Sequence, residues 1–201
     1  MRLVVAFAAL AVLSACFATA APPAVKSPLA RIEILPPAVD ADAPIVVAIH
    51  GMGDRPDRFM HLLDGLDRPV RTVFPAAPTR RGEGFTWWAA SVRDGDIAAV
   101  VAGLEAATVE VAGLLEELAA RHPGAGKPVV TGFSQGGMLS FAVAVRRPEL
   151  VRGAVPVAGW LPEALWPKSA APAGAPPIRA LHGDADAVLP LAPTQASVNA
   201  L

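Results

Sequence analysis

Residues 129–137 read VVTGFSQGG, an apolar run that leads into a glycine-rich turn. The turn matches the pattern Gly-x-Ser-x-Gly, and the residues after it are typical of a helix. The chain must bend sharply at Ser134, because Gly132 and Gly136 lack a Cβ and let the strand and the helix approach closely. The pattern therefore predicts a strained strand-to-helix turn that exposes the hydroxyl of Ser134, where a catalytic nucleophile would stand.

Short apolar runs alternate with longer helical ones on both sides of this turn. The sequence predicts strands at 31–35, 45–49, 70–74, 128–133, 153–158 and 178–181, helices at 56–66, 96–121, 135–145 and from 191 onward, and a long loop at 75–95. Strands that alternate with helices predict an α/β fold with a mainly parallel sheet flanked by helices. Ligands bind at the carboxyl ends of the strands in such sheets, so we expect the site at that edge.

Composition limits the classes of function. The chain has 201 residues, enough for one domain with a real core, and 53% are hydrophobic, which disfavours disorder. The net charge is −1 without a basic block, so we expect no nucleic-acid partner. Four scattered histidines and one cysteine give no metal-ligand spacing, and no phosphate-binding loop appears. We therefore expect neither a metal nor a cofactor.

The first twenty residues are typical of a targeting segment. A positive start is followed by an apolar run at 3–13 and by small residues at 18–20, which predicts export and cleavage after Ala20. The tetrapeptide ending at Cys16 also resembles a bacterial lipobox, in which that cysteine, the only one in the chain, would be lipidated. An uncleaved anchor over 3–21 is the third alternative. We expect a periplasmic or secreted protein that meets a membrane only through such an N-terminal anchor.

The rest of the chain divides into two parts. Residues 21–44 form a Pro-rich spacer with a candidate edge strand, and residues 45–201 form the domain that carries the serine.

Candidate oxyanion donors stand on both sides of the serine. The N–H of Gln135 starts a helix, so it lacks an intrahelical partner and can face a developing oxyanion. The segment HGMGD at 50–54 follows the apolar strand IVVAI, and its glycines let the backbone turn its amides inward. We expect the N–H of Met52 to be the second donor. His50 is expected to hydrogen-bond the loop backbone and to have no catalytic role.

A candidate acid follows the last predicted strand, in the segment HGDAD at 182–186. A carboxylate here could orient a catalytic imidazole, and Asp184 and Asp186 both qualify. Asp184 is expected to close the turn, because aspartate readily bonds its own backbone. His182 is expected to stabilise the loop.

Three motifs follow one another along the chain: HGMGD at 50–54, GFSQGG at 132–137 and HGDAD at 182–186. Together they resemble the phospholipase/carboxylesterase family, which includes acyl-protein thioesterases. The resemblance covers about 45–201 and implies a compact α/β-hydrolase without a large cap domain. It also implies hydrolysis of carboxylic esters or thioesters.

The resemblance further implies individual roles. Ser134 would be the nucleophile, Asp186 the acid, and the amides of Met52 and Gln135 the oxyanion donors. The segment 85–88 resembles the family's aromatic loop beside the acyl site, with Phe85 and Trp87 as substrate-binding residues. Hydrophobic anchoring of the loop is an equal alternative for these two side chains.

The sequence departs from the family pattern at the catalytic histidine. The family places it on a loop beyond the acid, but residues 187–201 contain no histidine. His61 falls in the first predicted helix, and His122 leads into the opposite end of the sheet. We therefore expect a C-terminally incomplete α/β-hydrolase, a fragment of a longer active enzyme.

Two alternatives remain open. A chain that truly ends at Leu201 would be a non-catalytic binding protein on a hydrolase scaffold. A peptidase or polymer depolymerase of the same fold would carry the same motifs. For the favoured hypothesis, the expected partner is a small-molecule ester or a lipid outside the cytosol.

Overall fold

A computed structural model describes residues 27–36, 39–66, 68–169 and 173–201. The predicted targeting segment at 1–20, including Cys16, lies outside the described residues, as does the first part of the Pro-rich spacer. The strands are β1 (Arg31–Ile34), β2 (Ile45–Ile49), β3 (Arg71–Pro75), β4 (Thr79–Arg81), β5 (Gly84–Thr86), β6 (Val129–Phe133) and β7 (Gly153–Val157). The helices are α1 (Pro56–Phe59), α2 (Ile97–Arg121), α3 (Gln135–Arg146) and α4 (Leu191–Asn199).

The main sheet has the strand order β1-β3-β2-β6-β7. Strands β3, β2, β6 and β7 run parallel, and β1 pairs antiparallel with β3 at the edge. The predicted α/β fold with a mainly parallel sheet is therefore confirmed. The parallel order brings the carboxyl ends of β2 and β6 side by side, and with them the two segments that carry Met52 and Ser134.

Side chains of β2 alternate between two hydrophobic clusters, as the two-residue period of a strand requires. Val47 and Ile49 belong to the main core, which contains the buried faces of α2 and α3. Ala48 belongs to a smaller cluster with Phe59 of α1 and Phe74. Helices therefore cover both faces of the sheet. Among the described helices, α2 alone has the length and composition to cross a membrane, and one side of it contributes seven buried apolar residues to the main core.

Two predictions about local structure were wrong. Residues 75–95 were predicted as loop, but β4 and β5 form a hairpin there, because Gly82 adopts a positive φ of 58° in the turn between them. The predicted first helix is α-helical only through Phe59 and continues as a 3-10 turn over Met60–Leu63.

The strand predicted at 178–181 is reduced to two isolated bridges, Ala154–Ile178 and Val157–Leu181. The hydrogen bonds from Arg179 N to Ala154 O and from Leu181 N to Pro156 O follow a parallel ladder. The next rung needs an N–H at position 156, which proline lacks. The interruption therefore comes from the neighbouring strand, β7.

An ion-pair network ties β1 to α2 at the end of the sheet away from Ser134. Glu33 accepts hydrogen bonds from Arg71 at 2.8 Å and from Arg121 at 3.1 Å. Glu117 accepts one from Arg31 at 2.6 Å. Burial opposes ionisation of both carboxyls, but these arginines outweigh it and hold the pKa of Glu33 and Glu117 below the ordinary value.

Replacing Glu117 with glutamine should lower stability in a pH-dependent way. The side chain is 7% exposed, and loss of hydrogen bonds to a charged group typically costs about 1–3 kcal/mol. Because the folded-state pKa is lowered, the stabilisation is fully present above the ordinary pKa of 4.5 and is lost as the pH falls through the folded-state value. Urea unfolding from about pH 7 down to about pH 3 should show a difference that shrinks toward acid.

Glu116→Gln is the matched control, since this neighbouring side chain is 45% exposed and pairs with Arg147 on the surface. Its effect should stay below about 1 kcal/mol. Equal losses for the two variants, or a Glu117→Gln loss that does not change with pH, would contradict the role given to the network.

Candidate active site

Ser134 stands at the junction between β6 and α3 with φ 54° and ψ −112°. Residues other than glycine seldom adopt a positive φ, so this backbone is strained. Hydrogen bonds hold it from both sides: Ser134 N donates to Val157 O at 3.0 Å, and Met138 N donates to Ser134 O at 2.9 Å. The sharp turn predicted from the sequence is present, and its strain is fixed by the neighbouring strand and by the helix.

The glycines of the turn are required by space. A Cβ on Gly136 would lie 1.9 Å from the carbonyl oxygen of Ile49, and one on Gly132 would lie 2.6 Å from the carbonyl group of Gly136. A Cβ on Gly137 would lie 2.5 Å from the carbonyl oxygen of Val157. The first turn of α3 therefore rests directly on the carboxyl end of β2, which fixes the direction in which Ser134 points.

Ser134 opens on a cavity of about 490 Å³, called the cleft below. Its wall is built by the segment after β2, by the 81–93 region, by the start of α3 and by the 188–189 loop. The lining residues are Gly51, Met52, Asp54, Arg81, Trp88, Ala90, Ser91, Val92, Arg93, Phe133, Ser134, Gln135, Met138, Val188 and Leu189. The site therefore lies at the carboxyl ends of the parallel strands, as the sequence predicted.

The loop that carries Met52 is fixed by pairing with β5. Gly53 N donates to Phe85 O at 2.7 Å, and Phe85 N donates to Asp54 O at 2.9 Å. Met52 lines the cleft, and no acceptor for its N–H is found among the described residues. Gln135 also lines the cleft, and its N–H is the first of α3, so it has no intrahelical partner. The structure thus brings both predicted donors and Ser134 to one cavity.

His50 is fully buried and holds the loop, as expected. The N–H of Ala77 donates to its Nε2 at 3.1 Å, so the ring proton lies on Nδ1, which donates to Gly51 O at 2.7 Å. Burial lowers the pKa of His50 and keeps the ring neutral. Both nitrogens are engaged, so His50 has no free position for proton transfer.

The aromatic segment is arranged differently from the prediction for Phe85 and Trp87, because neither residue lines the cleft. Trp88 lines it instead. Trp87 is buried, and its Nε1 donates to His50 O at 3.0 Å. Phe85 lines a separate cavity and stacks under the guanidinium of Arg80 at 5.2 Å. These two side chains anchor the segment, whereas Trp88 faces the cleft.

The side chain of Gln135 joins this aromatic segment to the serine turn, a role that the sequence did not reveal. It is 4% exposed. Its Nε2 donates to Trp88 O at 3.0 Å, and its Oε1 accepts from Trp87 N at 3.2 Å. The hydroxyl of Thr86 lies 2.6 Å from Trp88 O and 3.0 Å from the same Oε1. Gln135 therefore holds Trp88 against the cleft through its backbone.

The candidate acid Asp186 closes its own turn. Its Oδ1 accepts hydrogen bonds from Val188 N at 2.8 Å and from Leu189 N at 2.9 Å, and these bonds lower the pKa of Asp186. The expectation that Asp184 closes the turn is wrong, since these bonds go to Asp186. The same bonds fix Val188 and Leu189, which line the cleft, whereas Asp186 is not one of the lining residues.

His182 lies beneath the acid loop. Its Nε2 is 2.6 Å from Leu189 O and 3.6 Å from Asp186 Oδ2, and its Nδ1 is 2.8 Å from the hydroxyl of Thr194. Both ring nitrogens are occupied, so His182 stabilises the loop, as expected.

The remaining histidines lie elsewhere. His61 is exposed and hydrogen-bonds Asp64 at 2.8 Å, and His122 stands 3.3 Å from Glu33 at the far end of the sheet. All four histidines of the chain are described, and none hydrogen-bonds Ser134. Within the described ranges, no group of three or more His, Cys, Asp or Glu side chains is placed to hold a metal ion.

Residues 30–201 match the family of phospholipases and carboxylesterases. The chain belongs to this family. Membership places it among hydrolases of the carboxylesterase and thioesterase type. No curated protein matches the chain closely enough to count as a relative.

Several solved structures share the fold of this chain. Esterase PE8 is 26% identical with a TM-score of 0.72, and the match covers 86% of this chain and 82% of that one. Acyl-protein thioesterase 2 from Zea mays is also 26% identical, with a TM-score of 0.65 and coverage of 85% and 83%. A Bacillus cereus carboxylesterase is 16% identical, with a TM-score of 0.67 and coverage of 87% and 81%, a likeness of fold alone.

Replacing Gln135 with leucine should loosen the aromatic segment. The substitution leaves Trp87 N without its buried acceptor and removes one of the two donors to Trp88 O, which keeps the Thr86 hydroxyl. A buried group left unsatisfied typically costs about 1–3 kcal/mol. Urea unfolding should show a stability loss of at least about 1 kcal/mol. Hydrogen exchange should show faster exchange at Trp87 N.

Gln195→Leu is the control, because Gln195 is exposed on α4. It should change stability by less than about 0.5 kcal/mol and leave exchange at Trp87 unchanged. If Gln135→Leu behaved like this control, the side chain would not hold the segment.

Proposed function

We propose that this hydrolase uses Ser134 to cleave carboxylic esters or thioesters through an acyl-enzyme intermediate. The observation that carries the proposal is the strained backbone of Ser134, at a strand-to-helix junction that opens on the cleft. The amides of Met52 and Gln135, which line the same cleft, support it. Strain of this kind, held by surrounding structure, is characteristic of a functional residue.

The proposed reaction has two halves. Ser134 Oγ attacks the carbonyl carbon while a base takes its proton, and the carbonyl oxygen becomes an oxyanion that accepts hydrogen bonds from Met52 N and Gln135 N. The bond to the alcohol or thiol then breaks, and that leaving group takes the proton from the base. Water attacks the acyl-serine in the same way and releases the carboxylic acid.

We propose that the base is a histidine from outside these 201 residues. Three of the four histidines in the chain have their hydrogen-bonding positions occupied or stand at the far end of the sheet, and the fourth, His61, is exposed beside Asp64. Asp186 would orient the incoming imidazole. Its Oδ1 is occupied by Val188 N and Leu189 N, so its Oδ2 is the oxygen available to accept the imidazole N–H.

We also propose that the hydrolase acts outside the cytosol. The apolar run at 3–13, the small residues at 18–20 and the lipobox-like Cys16 support export. A small-molecule ester or a lipid in the cell envelope is then the expected substrate. Contact with a membrane would be limited to the N-terminal anchor.

Replacing Ser134 with alanine should abolish ester hydrolysis. We expect the 201-residue chain to hydrolyse p-nitrophenyl butanoate in the presence of imidazole, which supplies an external base, and Ser134→Ala to show only the buffer rate. In a native protein with a complete triad, loss of the nucleophile should lower turnover by on the order of a millionfold. The release of nitrophenolate measures the imidazole-dependent rate of the 201-residue chain and the turnover of the native protein.

Ser140→Ala is a matched control, because Ser140 lies on the same helix but is buried and donates to Gly136 O. Its rate should stay within about tenfold of the parent. Equal imidazole-dependent rates in the parent and Ser134→Ala would reject the nucleophile. No hydrolysis by the native protein would favour a binding protein on the same scaffold.

A further inference from the structure

Two arginines reach the cleft that contains Ser134. Arg81 ends β4, and Arg93 lies in the 3-10 turn Val92–Asp94. Both are exposed, and neither forms an ion pair within the part of the chain that the structure describes. Apart from one hydrogen bond of Arg81 to the backbone, their guanidinium N–H groups are therefore available to a ligand in the cleft.

Hydrogen bonds already restrain both arginines, Arg81 through its side chain and Arg93 through its backbone. Arg81 Nη1 donates to Ala89 O at 3.3 Å, which ties the hairpin to the segment that follows it. A reciprocal pair of hydrogen bonds closes the turn of Arg93: Ser91 Oγ accepts from Arg93 N at 3.2 Å, and Asp94 Oδ2 accepts from Ser91 N at 3.1 Å. Binding to a preformed arrangement loses less conformational entropy.

The charge balance of the cleft favours one kind of ligand. Its charged lining residues are Arg81, Arg93 and Asp54, so the lining is positive by one charge. The whole chain carries a net charge of −1, so this positive charge is local to the cleft. Asp186 adds a negative charge close to Arg93 and brings the local balance to neutral. Asp54 and Asp186 repel a single carboxylate less than a dianionic phosphate, so a single carboxylate is the better fit to the two arginines.

We propose that Arg81 and Arg93 form a subsite for a carboxylate, and that the natural substrate is an ester that carries a carboxylate away from the scissile bond. The proposal rests on the proposed ester hydrolysis for its reaction. Guanidinium groups bind carboxylates with strong, directed hydrogen bonds, which makes arginine suited to this recognition. Trp88 and Met138 would contact the apolar chain between the two ends of the substrate, since both line the cleft.

The test measures binding without turnover. Ser134→Ala protein is titrated with monomethyl glutarate and with dimethyl glutarate, and binding is followed by NMR chemical shifts. We expect the monoester to bind about tenfold more tightly than the diester, because it gains hydrogen bonds to charged groups. The preference should fall between about 20 mM and about 500 mM salt, where exposed charges are screened.

Substitutions identify the groups responsible. Arg81→Met combined with Arg93→Met should reduce binding of the monoester to the level of the diester, whereas Arg81→Lys should keep most of the preference. Arg80→Met is the matched control, because Arg80 is the neighbour on β4 but stacks on Phe85 and does not line the cleft. Circular dichroism confirms that each variant is folded.

Two outcomes would overturn the proposal: equal binding of the two esters by the parent, or an Arg80→Met loss as large as that of the double variant. Because the assay uses Ser134→Ala, it is independent of catalysis. A carboxylate preference without Ser134-dependent hydrolysis would support the subsite and reject the proposed function. Ser134-dependent hydrolysis without a preference for the monoester would support the proposed function and reject the subsite.

Discussion

The arrangement of the site depends on the contact between the first turn of α3 and the carboxyl end of β2. Gly136 lies so close to the carbonyl oxygen of Ile49 that any Cβ would collide with it. This contact places the start of the helix over the neighbouring strand and forces the chain at Ser134 into its positive φ. It also brings the serine beside Gly51, so that the amides of Met52, after β2, and Gln135, after β6, share one cavity.

Buried hydrogen bonds extend this arrangement to the wall of the cleft. His50 joins the loop after β2 to Ala77, and Trp87 joins the aromatic segment to the carbonyl of His50. Gln135 joins the same segment to the serine turn. Polar groups buried in this way are costly to leave unpaired, so each bond restricts the segment it touches. The region from Arg81 to Arg93 thereby becomes a fixed wall that carries both aromatic and positively charged groups.

Features determined by local sequence could be predicted, and features determined by distant neighbours could not. The turn at Ser134 was predictable, because its glycines and flanking periodicity lie within a few residues. The incomplete strand at 178–181 was not, because the missing N–H belongs to Pro156 on another strand. The choice of Trp88 over Trp87 depends on contacts with Gln135 and His50, which are distant in sequence. The family resemblance singled out Asp186 as the candidate acid. It did not predict that Asp186 would also close its own turn by accepting hydrogen bonds from Val188 N and Leu189 N.

The most direct test of the central claim is to locate the residue that becomes covalently modified. The native protein is treated with a fluorophosphonate, digested with trypsin and analysed by tandem mass spectrometry. We expect one adduct, on Ser134 in the peptide that spans residues 122–146, and no adduct when the protein is unfolded in urea before labelling. An adduct on Ser140 or on a different peptide, or labelling that survives unfolding, would contradict the assignment of Ser134 as the nucleophile.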